Sequence, residues 1–156
     1  MKEIIGFDEI ASFIRKLRRD SSVRIAFTNG CFDILHRGHV EYLEKAKTYA
    51  DYLVVGLNSD ASVNRLKGEG RPYIGQDDRA FILSRLESVD IVCIFEQDTP
   101  LELIKRVQPD YLIKGGDYAV EEIVGREIVE ARGGSVLTIP LVPGRSTTGI
   151  LNKIQS

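Results

Sequence analysis

The chain contains two histidines, and both fall in one ten-residue segment, Gly30-Cys31-Phe32-Asp33-Ile34-Leu35-His36-Arg37-Gly38-His39. Any imidazole chemistry is therefore confined to one place. Rings three residues apart at a helix start project to nearly the same side. A helix start also offers unpaired backbone N–H groups and a partial positive charge, a ready anion site. Gly38 lets a phosphate approach the main chain closely. Together these residues suit a triphosphate. The plainer alternative, a cap plus a packed ring, accounts for a lone histidine better than for a glycine-bounded pair. The segment is not the dinucleotide fingerprint G-x-G-x-x-G, and no P-loop G-x-x-x-x-G-K-[ST] occurs in the chain. Hydride transfer and P-loop phosphoryl transfer are demoted accordingly.

The elements that must hold this segment alternate between apolar strands and amphipathic helices. Periodicity predicts helices over residues 7–19, with a stripe of Ile10, Phe13, Ile14 and Leu17, and over 40–50, 77–88, 99–107, 121–132 and 147–154. Thr99 reads as a cap with Pro100 in the first helical position. Short apolar runs predict five strands, over 23–27, 52–57, 90–95, 110–114 and 135–139. The glycine-punctuated stretch 67–72 reads as an exposed, mobile loop. Strands apolar on both faces and separated by helices imply a parallel sheet covered on both sides, an α/β, Rossmann-like doubly wound single domain over 1–156. Ligands on such sheets sit at the carboxyl ends of the strands. Those ends are Thr28-Asn29-Gly30, Asn58-Ser59-Asp60, Lys114-Gly115-Gly116-Asp117 and the stretch after Pro140.

Composition narrows the partners. The 156 residues carry a net charge of −2, with 43% apolar and 28% charged residues. There is no global basic field for indiscriminate nucleic-acid binding. No apolar run reaches the ~20 residues that span a bilayer, and the first residues do not read as a signal peptide. Cys31 and Cys93 form neither a disulfide framework nor a metal-ligand pattern. A cytoplasmic setting, with no nucleic acid and no membrane, is expected.

The histidine segment resembles the H-x-G-H signature of the nucleotidyltransferase superfamily, which includes glycerol-3-phosphate cytidylyltransferase and phosphopantetheine adenylyltransferase. The likeness narrows when other segments are added: Asn58-Ser59-Asp60-Ala61-Ser62, Arg65-Leu66-Lys67-Gly68, Arg71-Pro72, Asp98-Thr99-Pro100, Lys114-Gly115-Gly116-Asp117-Tyr118 and Arg145-Ser146-Thr147-Thr148. With Thr28 to Val40, they resemble the D-glycero-β-D-manno-heptose 1-phosphate adenylyltransferases, from about Phe27 to Ile154. In that family the domain is often fused behind a sugar kinase. This chain has no room for one, so the stand-alone form is expected. The implied reaction joins ATP and a heptose 1-phosphate to give ADP-heptose and pyrophosphate, with Mg²⁺ beside the phosphates, for lipopolysaccharide core or related surface glycans. A homodimer or higher assembly is also implied.

The resemblance distributes roles. His36, His39 and Lys67 would act on the phosphates, Lys67 from a closing loop; an ordinary solvated lysine is its alternative. Thr28, Asn29, Gly30, Cys31, Phe32, Gly38, Lys114, Gly116, Asp117, Arg145, Ser146, Thr147 and Thr148 would surround the nucleotide. Ser146 could also be simply a helix cap. Related cytidylyltransferases carry an arginine where this chain has Leu141, leaving Arg145 as the other source of that charge. Asp33, Asn58, Asp60, Arg65, Arg71 and Arg79 fall to the acceptor. Asp33 could bind acceptor hydroxyls or a metal-bound water, or could be a turn residue accepting backbone N–H bonds. Cys31 is read as a packed residue and Lys47 as solvated. No metal ligands are assigned. The rival readings are transfer to another acceptor, such as glycerol phosphate or a flavin, and a non-catalytic nucleotide sensor.

Overall fold

The computed structural model describes residues 1–116, 118–141 and 146–155. Six strands, β1 (Glu3–Ile4), β2 (Ile25–Gly30), β3 (Tyr52–Asn58), β4 (Ile91–Phe95), β5 (Tyr111–Gly115) and β6 (Ser135–Ile139), form one parallel sheet in the order β1-β4-β3-β2-β5-β6. Sequence periodicity yields five of these. The sixth, β1, is a two-residue, solvent-exposed edge strand with no apolar alternation to reveal it. It is fastened by Lys2, whose Nζ donates to the carbonyls of Leu86, Glu87 and Val89 at 2.5–2.7 Å.

The helices are α1 (Ile10–Leu17), α2 (Arg37–Lys47), α3 (Asp60–Lys67), α4 (Gln76–Ser84), α5 (Leu101–Val107), α6 (Arg126–Ala131) and α7 (Thr147–Gln155). The alternation of each strand sorts them into two layers. Ile25, Phe27, Val54, Ile91, Cys93 and Leu112 face one side, where Ile10 and Ile14 of α1, Leu103, Ile104 and Val107 of α5, and Val129 of α6 cover them. Ala26, Leu53, Val55, Val92 and Ile113 face the other, against Leu43 and Ala46 of α2 and Ala80 and Leu83 of α4. The stripe of α1 is thus satisfied within the chain.

Several expectations change, among them the helices expected over 40–50 and 77–88, which run over Arg37–Lys47 and Gln76–Ser84. Residues 60–67 are a helix, because Ser59 caps it: its Oγ accepts from the Ser62 N–H at 3.1 Å. Lys67 is therefore the last residue of α3 and not part of the loop. The helix expected over 121–132 is instead a 3₁₀ turn (Val120–Glu122) followed by α6. Gly125 separates them with φ of 92°, and a Cβ there would lie 2.6 Å from Ile104. Helix α5 starts one residue later than expected, with Pro100 in the cap position. Lys47 is not solvated: its ammonium pairs with the buried carboxylate of Asp90, which also accepts from the Leu53 N–H at 2.8 Å.

Candidate active site

The sheet order reverses at β2, whose neighbours are β3 and β5, and such a switch point opens a crevice at the strand ends. The registers show how. β2 pairs with β3 as far as Gly30↔Leu57, but its pairing with β5 stops at Phe27↔Leu112. From Thr28 and Ile113 onward the two strands diverge. Tyr42 of α2 closes the root of the split. Its hydroxyl donates to the Ile113 carbonyl at 3.1 Å and accepts from Thr28 Oγ1 at 2.7 Å. Burial pushes the Tyr42 phenol up to about 12, so it stays a donor. Thr28 is accordingly a wholly buried strut, and its expected place beside the nucleotide is corrected. Further out, Lys114 Nζ reaches Asn29 Oδ1 across the gap at 3.4 Å.

Above the split lies a cavity of about 680 Å³, walled by Asn29 to Asp33, His39, Asn58, Lys67, Arg71, Lys114, Thr147 and Thr148 among others. A second, of about 320 Å³, adjoins it and adds His36, Gly38, Gly115 and Ser146. Both fall in the size range of small-molecule sites. Gly30 is needed where the chain enters, since a Cβ would meet the Phe32 ring at 2.9 Å. Phe32 follows with φ of 46°, and its ring packs edge-on against His39 at 5.3 Å.

The histidines form a reciprocal cap. His36 Nδ1 accepts from the Gly38 N–H at 3.1 Å, and His39 Nδ1 accepts from the His36 N–H at 3.3 Å. The rings stack with centroids 3.9 Å apart. An accepting Nδ1 carries no proton, so in each ring the proton sits on Nε2. Burial, reinforced by the neighbouring His36, lowers the His39 pKa to about 4. His39 is therefore neutral at ordinary pH, a donor through Nε2–H rather than a cation.

Charge comes from lysine and arginine. Lys114 is in no salt bridge among the described residues, and burial lowers its pKa. Lys67 is exposed at the cavity rim, without an ion pair among the described residues. Cys31 lines both cavities, but burial raises its pKa, which works against a reactive thiolate. At the far rim Thr147 Oγ1 donates to the Ile34 carbonyl at 3.2 Å, and Ser146 Oγ caps α7 by accepting from the Gly149 N–H at 2.9 Å.

Several residues assigned to the acceptor lie elsewhere. Arg79 is 1% exposed and donates to the carbonyls of Ile74, Cys31 and Asn58 and to Asp60 Oδ1, all at 2.7–2.8 Å. Four of its five N–H groups are committed to knitting the ends of β2 and β3 to α4, so its expected approach to a substrate phosphate is corrected. Asp60 is the exposed partner of that guanidinium, away from both cavities. Arg65 lines neither cavity and is held at 2.8 Å by Asp98, which lies on the wall of the larger one. Asn58 lines the larger cavity while its amide donates to Ser62 Oγ at 3.0 Å. Asp33 is buried; although burial acts to raise its pKa, hydrogen bonds from the Ile74 and Tyr73 N–H groups and from Arg71 hold it below the usual carboxylate range. Both of its oxygens are engaged in fastening this turn, while the residue lines the larger cavity. Gly116, with φ of 104°, follows β5 and lies outside both linings. Asp117 and Arg145 lie outside the described residues. Tyr42 was missed, although its place one turn after His39 on the same helix face signals it.

The sequence profile of the cytidylyltransferase-like family matches residues 27–151, a span running from β2 through the histidine turn into α7. The chain belongs to this family. Among its relatives, the bifunctional protein HldE of Geotalea uraniireducens is 54% identical over 154 residues, covering 99% of this chain and 31% of the relative. HldE of Rhodopseudomonas palustris is 57% identical over 152 residues, covering 97% of this chain and 31% of the relative. The chain thus spans about a third of the length of these curated relatives. A solved lipopolysaccharide core biosynthesis protein from Thermoplasma volcanium superposes with a TM-score of 0.61 at 27% identity, covering 77% of this chain and 97% of that one. Pantoate-beta-alanine ligase from Francisella tularensis shares the fold alone, with a TM-score of 0.64 at 17% identity over 99% of this chain and 78% of that one. This cytidylyltransferase-like chain has, among the described residues, no group of three His, Cys, Asp or Glu side chains placed to hold a metal. Nor is any of the described helices long and apolar enough to cross a membrane.

Proposed function

We propose that this chain is an adenylyltransferase that moves AMP from ATP onto a heptose 1-phosphate, releasing pyrophosphate and giving ADP-heptose. The observation that carries the reaction type is the histidine pair, whose Nδ1 atoms are committed to the backbone at the entrance of a cavity with cationic walls. That makes His39 a neutral Nε2–H donor, which suits a step in which charge builds on phosphate oxygens. The acceptor's phosphate oxygen attacks the α-phosphorus in line as the bond to the pyrophosphate oxygen breaks. No covalent intermediate is required. His39 donates to the α-phosphate as its charge grows, and Lys114 and Lys67 balance the charge of the reacting and departing phosphates. The main-chain N–H groups of Thr147 and Thr148 at the start of α7 supply further donors. Since the described residues offer no cage for a divalent ion, Mg²⁺ would enter on the phosphates of ATP, and EDTA is expected to stop turnover until Mg²⁺ is restored.

ATP and heptose rest on likeness. The Asn58-Ser59-Asp60 and Lys114 to Asp117 segments support it, as do the identity to the bifunctional HldE proteins and the likeness to a lipopolysaccharide core biosynthesis protein. The working setting would be the cytoplasm, with the chain acting as a homodimer or higher assembly. The test is pyrophosphate release across ATP and CTP, each with heptose 1-phosphate, glycerol 3-phosphate and riboflavin 5′-phosphate. Release with ATP and heptose 1-phosphate is expected. Release only with another pair removes the heptose reading, and nucleotide binding without release from any pair leaves a sensor.

A further inference from the structure

The segment 68–75 joins α3 to α4, and its Arg71 forms part of the larger cavity wall. One buried carboxylate fastens it. Asp33 Oδ2 accepts from Arg71 Nε at 2.7 Å, while Oδ1 accepts from the N–H groups of Tyr73 at 2.9 Å and Ile74 at 3.0 Å. The guanidinium also lies over the Tyr73 ring, its Cζ 4.9 Å from the centroid. One edge of Arg71 is thus pinned and one face covered. Its Nη1 and Nη2 donate no hydrogen bond among the described residues, and the side chain is 19% exposed. What remains is a flat, two-nitrogen edge held in one orientation at the cavity.

Such an edge matches two oxygens of a phosphate, where a lysine would offer only a swinging point charge. The three cavity cations also divide by position. Lys114 stands in the strand split and lines both cavities, whereas Lys67 and Arg71 line only the larger one. We propose that Arg71, aimed by Asp33, is the receptor for the acceptor's phosphate, with Asp33 as its positioning residue. The proposal rests on the reading that the second substrate is a phosphomonoester. Asp33 lies three residues before His36. One turn therefore sets the acceptor phosphate in register with the imidazoles at the α-phosphorus, the arrangement an in-line attack needs.

The test is calorimetric binding to the full chain with Mg²⁺ and a saturating non-hydrolysable ATP analogue, so that the triphosphate subsites are filled. The probes are inorganic phosphate and heptose 1-phosphate. The variants are Asp33→Asn, Arg71→Lys and the two combined. Each single change should weaken both probes by about ten-fold or more, with affinity for the ATP analogue held within about two-fold. The double variant should be no weaker than about the worse single one, because both changes disable one unit. Losses that multiply, losses shared equally by the ATP analogue, or no loss would overturn the proposal. If Asp33→Asn does not fold, Arg71→Lys decides alone, and unchanged probe affinity sinks the idea. Arg71-dependent binding of inorganic phosphate without binding of heptose 1-phosphate would support this assignment while removing the heptose acceptor.

Discussion

His39 is both part of the fold and part of the proposed chemistry, and the two roles separate by experiment. His39→Ala removes a donor to the α-phosphate, so kcat should fall by about 10²-fold or more while ATP affinity survives in part. Unchanged turnover would remove the role. The low pKa adds a pH signature. Between about 4 in the folded chain and 6.5 when unfolded, His39 binds more proton in the unfolded state. Stability present above about pH 6.5 is therefore lost as the pH falls toward 4. Urea unfolding at a series of pH values should show a steeper decline for the wild type than for His39→Gln, which cannot titrate. The pair was legible in the sequence because type and spacing both point to it. The fate of Arg79 and Asp33 was not. Most of their partners come from segments far apart in sequence, such as Cys31 and Asn58 for Arg79 and Arg71, Tyr73 and Ile74 for Asp33, which only the folded backbone brings together.

At the scale of elements, α2 and α3 make opposite predictions. Tyr42 ties α2 to both diverging strands, so Tyr42→Phe strands the Thr28 hydroxyl and the Ile113 carbonyl. It should cost about 1–3 kcal/mol in chemical denaturation. Lys67 ends α3 exposed and without an ion pair among the described residues. Lys67→Ala should move stability by less than about 0.5 kcal/mol yet lower kcat by roughly 10²-fold. A loss of stability without loss of turnover would mark Lys67 as ordinary surface. Helix α3 escaped sequence reading because its eight residues, Asp60–Lys67, bury only Ser62 and Val63 and show no apolar stripe. The Ser59 cap was the available signal. The break at Gly125 was hidden for the opposite reason: Glu121 to Arg132 keeps a helical pattern, while the obstacle is the Ile104 side chain of another helix.

For the whole molecule, the sequence carries the layered architecture well, since apolar strands alternating with amphipathic helices admit few topologies. It does not carry the point at which β2 and β5 stop pairing, which depends on what each strand meets. A site built on that split should couple ligand to fold. A non-hydrolysable ATP analogue with Mg²⁺ at about 100 times its Kd adds about 2.7 kcal/mol. For a chain of this size, that raises Tm by roughly 5–10 °C in a thermal scan. No rise would place nucleotide binding in doubt. Lys114→Ala, which removes the cation spanning the split, should reduce the rise.

The reciprocal cap at His36 and His39 also limits what drift or redesign can do here. An engineer seeking heat tolerance would reach for the strongest capping residues, His36→Ser with His39→Glu. That exchange would keep a well-made helix start while discarding both imidazoles. Conversely, random substitutions that delete the imidazoles without supplying a replacement cap fray α2 as well. Inactive descendants of this chain would therefore tend to be unstable ones, cleared by proteolysis before they could accumulate as intact decoys.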